Sequence, residues 1–502
     1  MARYNAPVPS FPSFAFDSFE LNTFTRRLTR DGQPVAIADR HFDVLYRLVS
    51  HPGELVTKDA LVTAGWGDVA VTDNSLEQAI SALRRVLGTR VDGSHYIETV
   101  PRRGYRFSGA VERRIARASD ENLEALMAPH RAWLEGRAAL ETLEGERIAR
   151  AHRDFEQVLA AFPDHAMAHV GLANAHAMRY EMTRADAQPD REALTRAARH
   201  AREACRLDPG SAEAWATLGF VHHCSGELVE ARAALQRAVT TEPDNWRHQF
   251  RLAYASWGEE RLRAARRTLA MLPGFPLAHW LAATVHVARN VLDEAERELR
   301  AGIVVQDVPF DSQGSLRAGT HTRFNAVALH WLLGLVLLAR GDEAGALAGF
   351  ERELAAEGSG QLYARECCAN TWYAIGALRL RQQKKTEAQG AFAQVLERVP
   401  NHRLVKAVLL AQSVSRLPSS LSPGGDIFSV GEGASFDETF GAAICLDLLG
   451  QGAFAAQVLD GALASAPPGS AGWLLPIEPL LNVSASPDVW APVLSRLRAR
   501  AS

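Results

Sequence analysis

Cysteine is scarce, and Cys205, Cys224, Cys367, Cys368 and Cys445 offer neither metal-ligand spacing nor the even number that a disulfide framework needs. A reducing cytoplasm fits that usage. Long apolar runs are missing too: the most apolar stretch, Ala326 to Ala339, includes His330 and falls short of the roughly 20 residues that span a bilayer, so no membrane segment is expected. Residues 1–13 contain Pro and Ser without an apolar run and read as a flexible leader, not a signal peptide. Lysine occurs only at Lys58, Lys384, Lys385 and Lys406, which leaves arginine to supply the basic charge. The net charge is only −3, so any basic surface has to be local. No GxxxxGK[ST] phosphate loop exists, and Gly431-Glu432-Gly433 lacks a phosphate-binding frame behind it. No nucleophile, base and oxyanion set can be assembled, so neither an enzyme, a cofactor nor a metal is expected.

What is present is concentrated early in the chain. After Asp73 or Thr72, either of which can cap a helix, the apolar residues Leu76, Ile80, Leu83 and Leu87 recur at helical spacing and mark one buried stripe. At about 100° per residue, Asn74, Gln78, Ser81, Ala82 and Arg85 point away from that stripe, with Arg84 on its flank. Gln78 has the paired donor and acceptor that suit an adenine edge. Arg85 suits a fork onto guanine or a bridge between phosphates, and Arg84 suits a phosphate. Beyond Gly88, residues 96–100 and 105–107 read as two strands around Pro101-Arg102-Arg103-Gly104, a hairpin whose tip arginines would lie beside a neighbouring minor groove. Six arginines (Arg84, Arg85, Arg90, Arg102, Arg103, Arg106) stand against Asp92 and Glu98 in this segment. That is a local basic footprint of the kind phosphate contact requires.

Residues 14–112 resemble the OmpR/PhoB-type winged helix-turn-helix. The match runs from a short antiparallel sheet (16–21, 25–29, 35–37) through a first helix with Phe42, Leu45, Leu48 and Val49 inward. A second helix led by Thr57-Lys58-Asp59 follows, then the turn Gly65-Trp66-Gly67-Asp68, the recognition helix and the wing. The resemblance implies that Trp66 touches the DNA backbone and that Asn74, Ser81, Ala82, Arg84 and Arg85 face DNA. Thr99, Arg102, Arg103 and Tyr105 are placed in a DNA-contacting wing. Gly67, Asp68 and Thr72, in the loop before the recognition helix, stand where relatives contact RNA polymerase. The wing reads Thr99-Val100-Pro101-Arg102-Arg103-Gly104-Tyr105, with its arginines displaced into the turn, as in the branch that has an N-terminal DNA-binding domain and no receiver. Control by aspartyl phosphorylation is therefore not expected. Ala82 stands where many relatives carry a basic residue, which either lowers affinity or makes room for a thymine methyl.

A chain of 502 residues is too long for one core. Behind the winged helix the sequence is rich in Ala, Leu and Arg without strand-like alternation, and a register repeats: Trp215, Leu218, Gly219, His222, Ala231, Leu235, Ala238, Pro243, and again Trp372, Ile375, Gly376, Arg379, Ala388, Phe392, Val395, Pro400. This resembles the tetratricopeptide pattern. Weaker copies around Phe155, Ala201, Leu252, Ala295, Phe350 and Leu459 bring the expectation to about eight helix pairs. The fold class is thus multidomain, an N-terminal α+β winged helix followed by an all-α tetratricopeptide-like solenoid. Its parts are a leader (1–13), the winged helix (14–112), a linker or first helix (113–130), the repeat array (131–470) and a capping segment (471–502).

Interruptions at 181–190, 307–320 and 417–435 read as loops. The arginines from Arg496 to Arg500 read as a solvated face. His222-His223-Cys224 and His165, His169 and His176 invite a zinc reading, but His222 and His169 fall at repeat packing positions. Cys367-Cys368, adjacent on one helix, reads as a buried inert pair. The functional expectation is a cytoplasmic bacterial transcription regulator that binds promoter double-stranded DNA and contacts RNA polymerase, with a homodimer on DNA. Its repeat groove would take a protein, a peptide or a small ligand. The rival from another class is an adaptor whose winged helix docks protein, favoured by Ala82 and the nearby acidic Glu77.

Overall fold

A computed structural model describes residues 12–23, 26–66, 73–90, 92–115, 131, 134–306, 326–413, 435–481 and 483–502. The chain opens with strands β1 (Pro12–Phe16), β2 (Phe19–Asn22), β3 (Arg27–Arg30) and β4 (Gln33–Val35), followed by helix α1 (Asp39–Val49). Strand β5 (Leu55–Thr57), helices α2 (Lys58–Trp66) and α3 (Asp73–Leu87), and strands β6 (Ile97–Val100), β7 (Gly104–Phe107) and β8 (Glu112–Ile115) complete this unit. One sheet has the order β4-β3-β2-β1-β8 and the other β5-β7-β6.

The strand read over 16–21 is interrupted. Asp17 adopts φ 47° and Phe16 pairs with Phe19, so a two-residue turn divides β1 from β2. The turn shifts the inward parity, which puts Phe14 and Phe16 of β1 and Phe19 and Leu21 of β2 on the core side. Phe16 meets Phe107 edge-on at 5.1 Å, and the Tyr96 hydroxyl donates to Asp17 Oδ2 at 2.7 Å, so aromatic packing joins the two sheets. Each fully buried ring of this kind contributes on the order of 2–3 kcal/mol. Helix α1 buries Phe42, Leu45, Leu48 and Val49 as expected from its spacing. The Thr57 hydroxyl accepts from the Ala60 N–H at the start of α2 at 3.2 Å.

The remainder is helical. Residues 134–142 (α4) and α5 (Gly145–Ala161) come first, then α6 (Ala166–Thr183) with α7 (Arg191–Leu207), α8 (Ala212–Cys224) with α9 (Leu228–Thr241), and α10 (Trp246–Ala255) with α11 (Gly258–Met271). Next are α12 (Pro276–Ala288) with α13 (Leu292–Gln306), α14 (Leu329–Ala339) with α15 (Glu343–Ala355), and α16 (Ala364–Arg381) with α17 (Lys385–Arg398). Then come α18 (Arg403–Ser413), α19 (Phe436–Leu448) with α20 (Gly452–Ser465), and α21 (Pro487–Arg500). Each named pair packs its two helices together. The repeat glycines show why the pattern demands them: a Cβ on Gly376 would lie 2.5 Å from the Phe392 ring, and one on Gly334 would lie 2.4 Å from Phe350. Trp215 donates Nε1–H to the Pro209 carbonyl at 3.0 Å, and its ring carries the Arg237 guanidinium at 3.9 Å.

The first of the expected loops differs from the sequence reading. Helix α6 continues through Thr183, and Asp190 caps α7 by accepting from Ala193 N–H at 2.9 Å, so the loop is shorter than 181–190. The expected loop at 307–320 lies outside the described residues, as does 417–434; Ser435 forms a reciprocal cap with Glu438.

The array curls until distant repeats touch. Leu362 N–H donates to the Leu143 carbonyl at 2.7 Å, Arg184 forks onto Glu366 at 2.9 and 3.1 Å, and the Tyr363 hydroxyl donates to Glu181 at 3.0 Å. The basic C-terminal end takes part in packing, which corrects the solvated-face expectation. Arg496 forks onto Asp460 at 2.6 and 2.8 Å, and Arg500 donates to the carbonyls of Leu463 and Ala466, so these arginines pin α21 onto α20. Trp490 is buried in that contact, and Arg289 holds the Ala501 carbonyl. Among the described residues no helix is long and apolar enough to cross a membrane.

Candidate nucleic-acid interface

Helix α3 realises the amphipathic reading. Leu76, Ile80, Leu83 and Leu87 are buried, while Gln78, Ser81 and Arg85 are exposed and Ala82 is half-buried. The side chain of Asn74 lies outside the described residues, as do Gly67, Asp68 and Thr72. Three outward side chains with hydrogen-bonding capacity thus share one face of a helix that its own apolar stripe holds rigidly.

Arg84 is placed differently from the phosphate-contacting role read for it. Its Nε and Nη2 donate to the Ile97 carbonyl at 2.9 and 2.8 Å, and Nη2 also donates to Thr99 Oγ1 at 2.8 Å. The guanidinium ties the recognition helix to the first wing strand. Thr99 is exposed and occupied by this bond. Tyr105, read as a wing contact, is only 4% exposed and belongs to the core, because β7 runs between β5 and β6 and its inward residue has to pack. Trp66 is likewise 8% exposed, with Arg40 lying 5.7 Å from its ring centre.

The wing tip keeps its expected exposure. Arg102 and Arg103 are both exposed, and the turn closes through Arg103 N–H donating to the Val100 carbonyl at 3.0 Å. Arg102 itself adopts the left-handed conformation, φ 62°. Gly104 is required twice over: it adopts φ 149°, which residues with a side chain rarely take, and a Cβ there would lie 2.1 Å from the Val56 carbonyl of β5.

The outward face of α3 borders one cleft with the repeat array. A space of about 460 Å³ is lined on one side by Trp66, Gln78, Ser81, Ala82 and Arg85, and on the other by Thr240 to Asp244, the end of α9 and the start of the turn into α10. Arg40 of α1 meets Glu242 across it at 3.6 Å, and His248 approaches the same carboxylate at 3.2 Å. Burial works to raise the Glu242 carboxyl, but the hydrogen bond and charge of His248, with Arg40, outweigh it and hold the group well below its ordinary range. Asp39, on the same helix as Arg40, is pushed up to about 6, chiefly by burial and further by the Glu242 and Asp43 carboxylates, against the pull of Arg26. Glu77 pairs with Lys58 at 3.7 Å. The sequence reading missed Arg40 and Glu242, since each is unremarkable within its own helical pattern and they meet only when the two units pack.

The other motifs resolve into packing. His165 caps α6, accepting from Ala168 N–H at 3.1 Å, while His169 meets His200 at 2.9 Å and His222 bonds Glu227. Cys367 and Cys368 are both buried; burial pushes the Cys368 thiol up to about 12 and raises that of Cys367 well above its ordinary range. Among the described residues no cluster of three or more His, Cys, Asp or Glu is arranged to hold a metal ion.

Comparison with known proteins agrees with this geometry. Residues 32–107 match the family described as transcriptional regulatory protein, C terminal, and residues 137–212 and 371–402 match tetratricopeptide repeat families. The transcriptional regulator HilA of Salmonella typhimurium is 42% identical over 113 residues, which cover 22% of this chain and 20% of HilA. The transcriptional activator CadC of Escherichia coli is 35% identical over 81 residues, 16% of each chain. These matched regions thus span a fifth or less of the relatives' length. The DNA-binding domain of Klebsiella pneumoniae RstA, solved in complex with the RstA box, aligns at 31% identity over 19% of this chain and 96% of that one, with a TM-score of 0.18. The chain therefore joins a transcriptional-regulatory domain of the OmpR/PhoB winged-helix type to an array of tetratricopeptide repeats.

Proposed function

We propose that this protein is a sequence-specific transcriptional regulator that binds promoter DNA through α3 and the wing, and that the repeat array governs access to that surface. The observation that carries the reading is the shared cleft: Gln78, Ser81 and Arg85 face outward together, yet the acidic turn with Glu242 and Asp244 stands opposite them. A recognition helix has to enter a major groove about 12 Å wide. A space of about 460 Å³ holds a few side chains and no duplex. DNA binding thus requires the array to move away from α3, and the Arg40–Glu242 contact is the bond that such a movement breaks. Contacts with RNA polymerase and a dimer on DNA belong to this proposal by analogy with regulators of the same domain type.

The same contact favours a second reading, an adaptor whose winged helix docks protein, here its own repeats. Selection of binding sites from random duplex DNA by the full chain, in parallel with its Glu242→Ala variant, separates the two. An enriched motif, bound more tightly by the variant and weakened by salt, is the expected result. No enrichment with either protein, and affinity flat across salt concentrations, would leave the adaptor reading standing.

A further inference from the structure

Inside the curl of the array lies a cavity of about 480 Å³, bounded where Leu143 and Leu362 close one edge. Its volume falls within the range of small-molecule sites, about 300 to 1,000 Å³. Aromatic side chains dominate the wall: Trp246, Phe250, Tyr254, Phe275, Trp280 and Trp331 all line it. Such rings give a flat apolar molecule large contact at little entropic cost.

Charged side chains line part of the wall, among them the Arg184–Glu366 pair described above. Arg247 donates Nε–H to Glu141 at 2.8 Å, and Arg137 approaches the same carboxylate at 3.9 Å. Arg251 meets Glu213 at 3.6 Å and donates to Asn174 Oδ1 at 2.6 Å. The stretch around Glu141 and Glu213 therefore holds three guanidinium groups and two carboxylates, two of the guanidiniums converging on one acid. Burial, and next the charge of Arg137, depress Arg247 to about 10, against the pull of Glu141 and Glu213. The wall residues Trp331 and Gln361, both more than nine-tenths buried, also hold N–H donors (Nε1 and Nε2) without an acceptor among the described residues. Buried donors normally have partners, and acceptor oxygens are what these lack.

We infer that this cavity binds a small carboxylic acid with an apolar body, the carboxylate at the Arg137–Arg247–Arg251 end and the body against the aromatic wall; the inference rests on the regulatory role proposed for the array. The site lies close to the contact that holds the winged helix. Arg251 meets Glu213, His248 stands 4.0 Å from Glu213 and 3.2 Å from Glu242, and Glu242 meets Arg40. A ligand carboxylate that draws Arg251 or Arg247 toward itself changes the charge seen by this chain of side chains.

The test is calorimetric titration of the full chain with 4-phenylbutyrate and, separately, with the uncharged 4-phenylbutan-1-ol. One acid is expected per chain, bound roughly tenfold or more tightly than the alcohol, with Arg247→Gln bringing the acid down to the alcohol's affinity. If that variant fails to fold, Leu277→Trp, which adds bulk from a half-buried wall position, is expected to abolish both bindings. Equal affinity for acid and alcohol, binding untouched by either variant, or no binding at millimolar concentration overturns the inference. So does displacement of 4-phenylbutyrate by a more tightly bound acidic peptide, which would assign the groove to peptides. DNA affinity is read separately: acid bound at this site with DNA affinity unchanged keeps the site and removes the regulatory reading. No acid bound, with DNA affinity raised by Glu242→Ala, does the reverse.

Discussion

Arg40 and Glu242 meet at 3.6 Å with side chains only 9% and 4% exposed, one from the first helix of the winged domain and the other from a turn of the repeat array. A buried charge pair of this kind adds little net stability while intact, but removing one partner leaves the other charge stranded at a cost of about 3–5 kcal/mol. The contact is thus a point where a single change should separate the two units without unfolding either.

Glu242→Ala is accordingly expected to raise the DNA affinity of the full chain by tenfold or more, since an arrangement that hides α3 lowers apparent affinity by the fraction of molecules so held. Fluorescence anisotropy with a selected duplex measures it. Affinity equal to that of the unaltered chain would mean that the cleft does not limit access.

Arg85 and Arg103 should fail in different ways. With its side chain exposed on the outward face of α3, Arg85→Ala is expected to cost about 1–3 kcal/mol and to relax base preference, whereas Arg103→Ala at the wing tip should weaken all sequences alike. Binding-site selection with each variant distinguishes them, and equal losses on every sequence for both would remove this division of labour.

Arg84 is expected to act on the wing instead of directly on DNA. Losing its bonds to the Ile97 carbonyl and Thr99 should destabilise the β6–β7 hairpin by about 1–2 kcal/mol. Hydrogen exchange is the measurement: Arg84→Ala should speed exchange at the amides of residues 97–107, and unchanged exchange with lost DNA affinity would return Arg84 to a phosphate-contacting role.

A pH dependence is expected at the end of the array. Glu478 accepts the Tyr373 hydroxyl at 2.7 Å and is raised by burial from 4.5 to about 7, against the pull of that bond. An acid raised on folding contributes stability that is complete below its unfolded value and is lost as pH rises through its folded value. Stability of the C-terminal repeats should therefore fall as pH rises from about 4.5 to about 7, by on the order of 3 kcal/mol. Glu478→Gln, which keeps an acceptor for Tyr373, should flatten thermal-unfolding curves over that interval; an unchanged pH profile would show that Glu478 does not titrate there.

Much of this was legible in local pattern. The stripe from Leu76 to Leu87 fixes which face of α3 is buried because helical geometry leaves one choice, and the Trp215 and Trp372 registers reveal repeats because each needs a small residue where paired helices touch, as Gly376 does against Phe392. The turn at Asp17 was not legible, since one continuous strand over 16–21 would set Phe16 and Phe19 on opposite faces, and only the two-residue reversal brings Phe14, Phe16, Phe19 and Leu21 to the core side together. Nor was the employment of Arg84: periodicity gives a direction from the helix axis, and whether a guanidinium meets solvent or a strand depends on where that strand lies.

The sequence by itself determined the two kinds of unit, their order, and the outward set on the recognition helix, because these follow from hydrogen bonding and apolar spacing within short stretches. Only the tertiary structure decided that Tyr105 and Trp66 are buried, that the array curls until Leu362 meets Leu143, and that Glu242 comes to stand before Arg40. Those contacts join residues far apart along the chain, and their positions are set by small rotations accumulated from repeat to repeat, which no local pattern records.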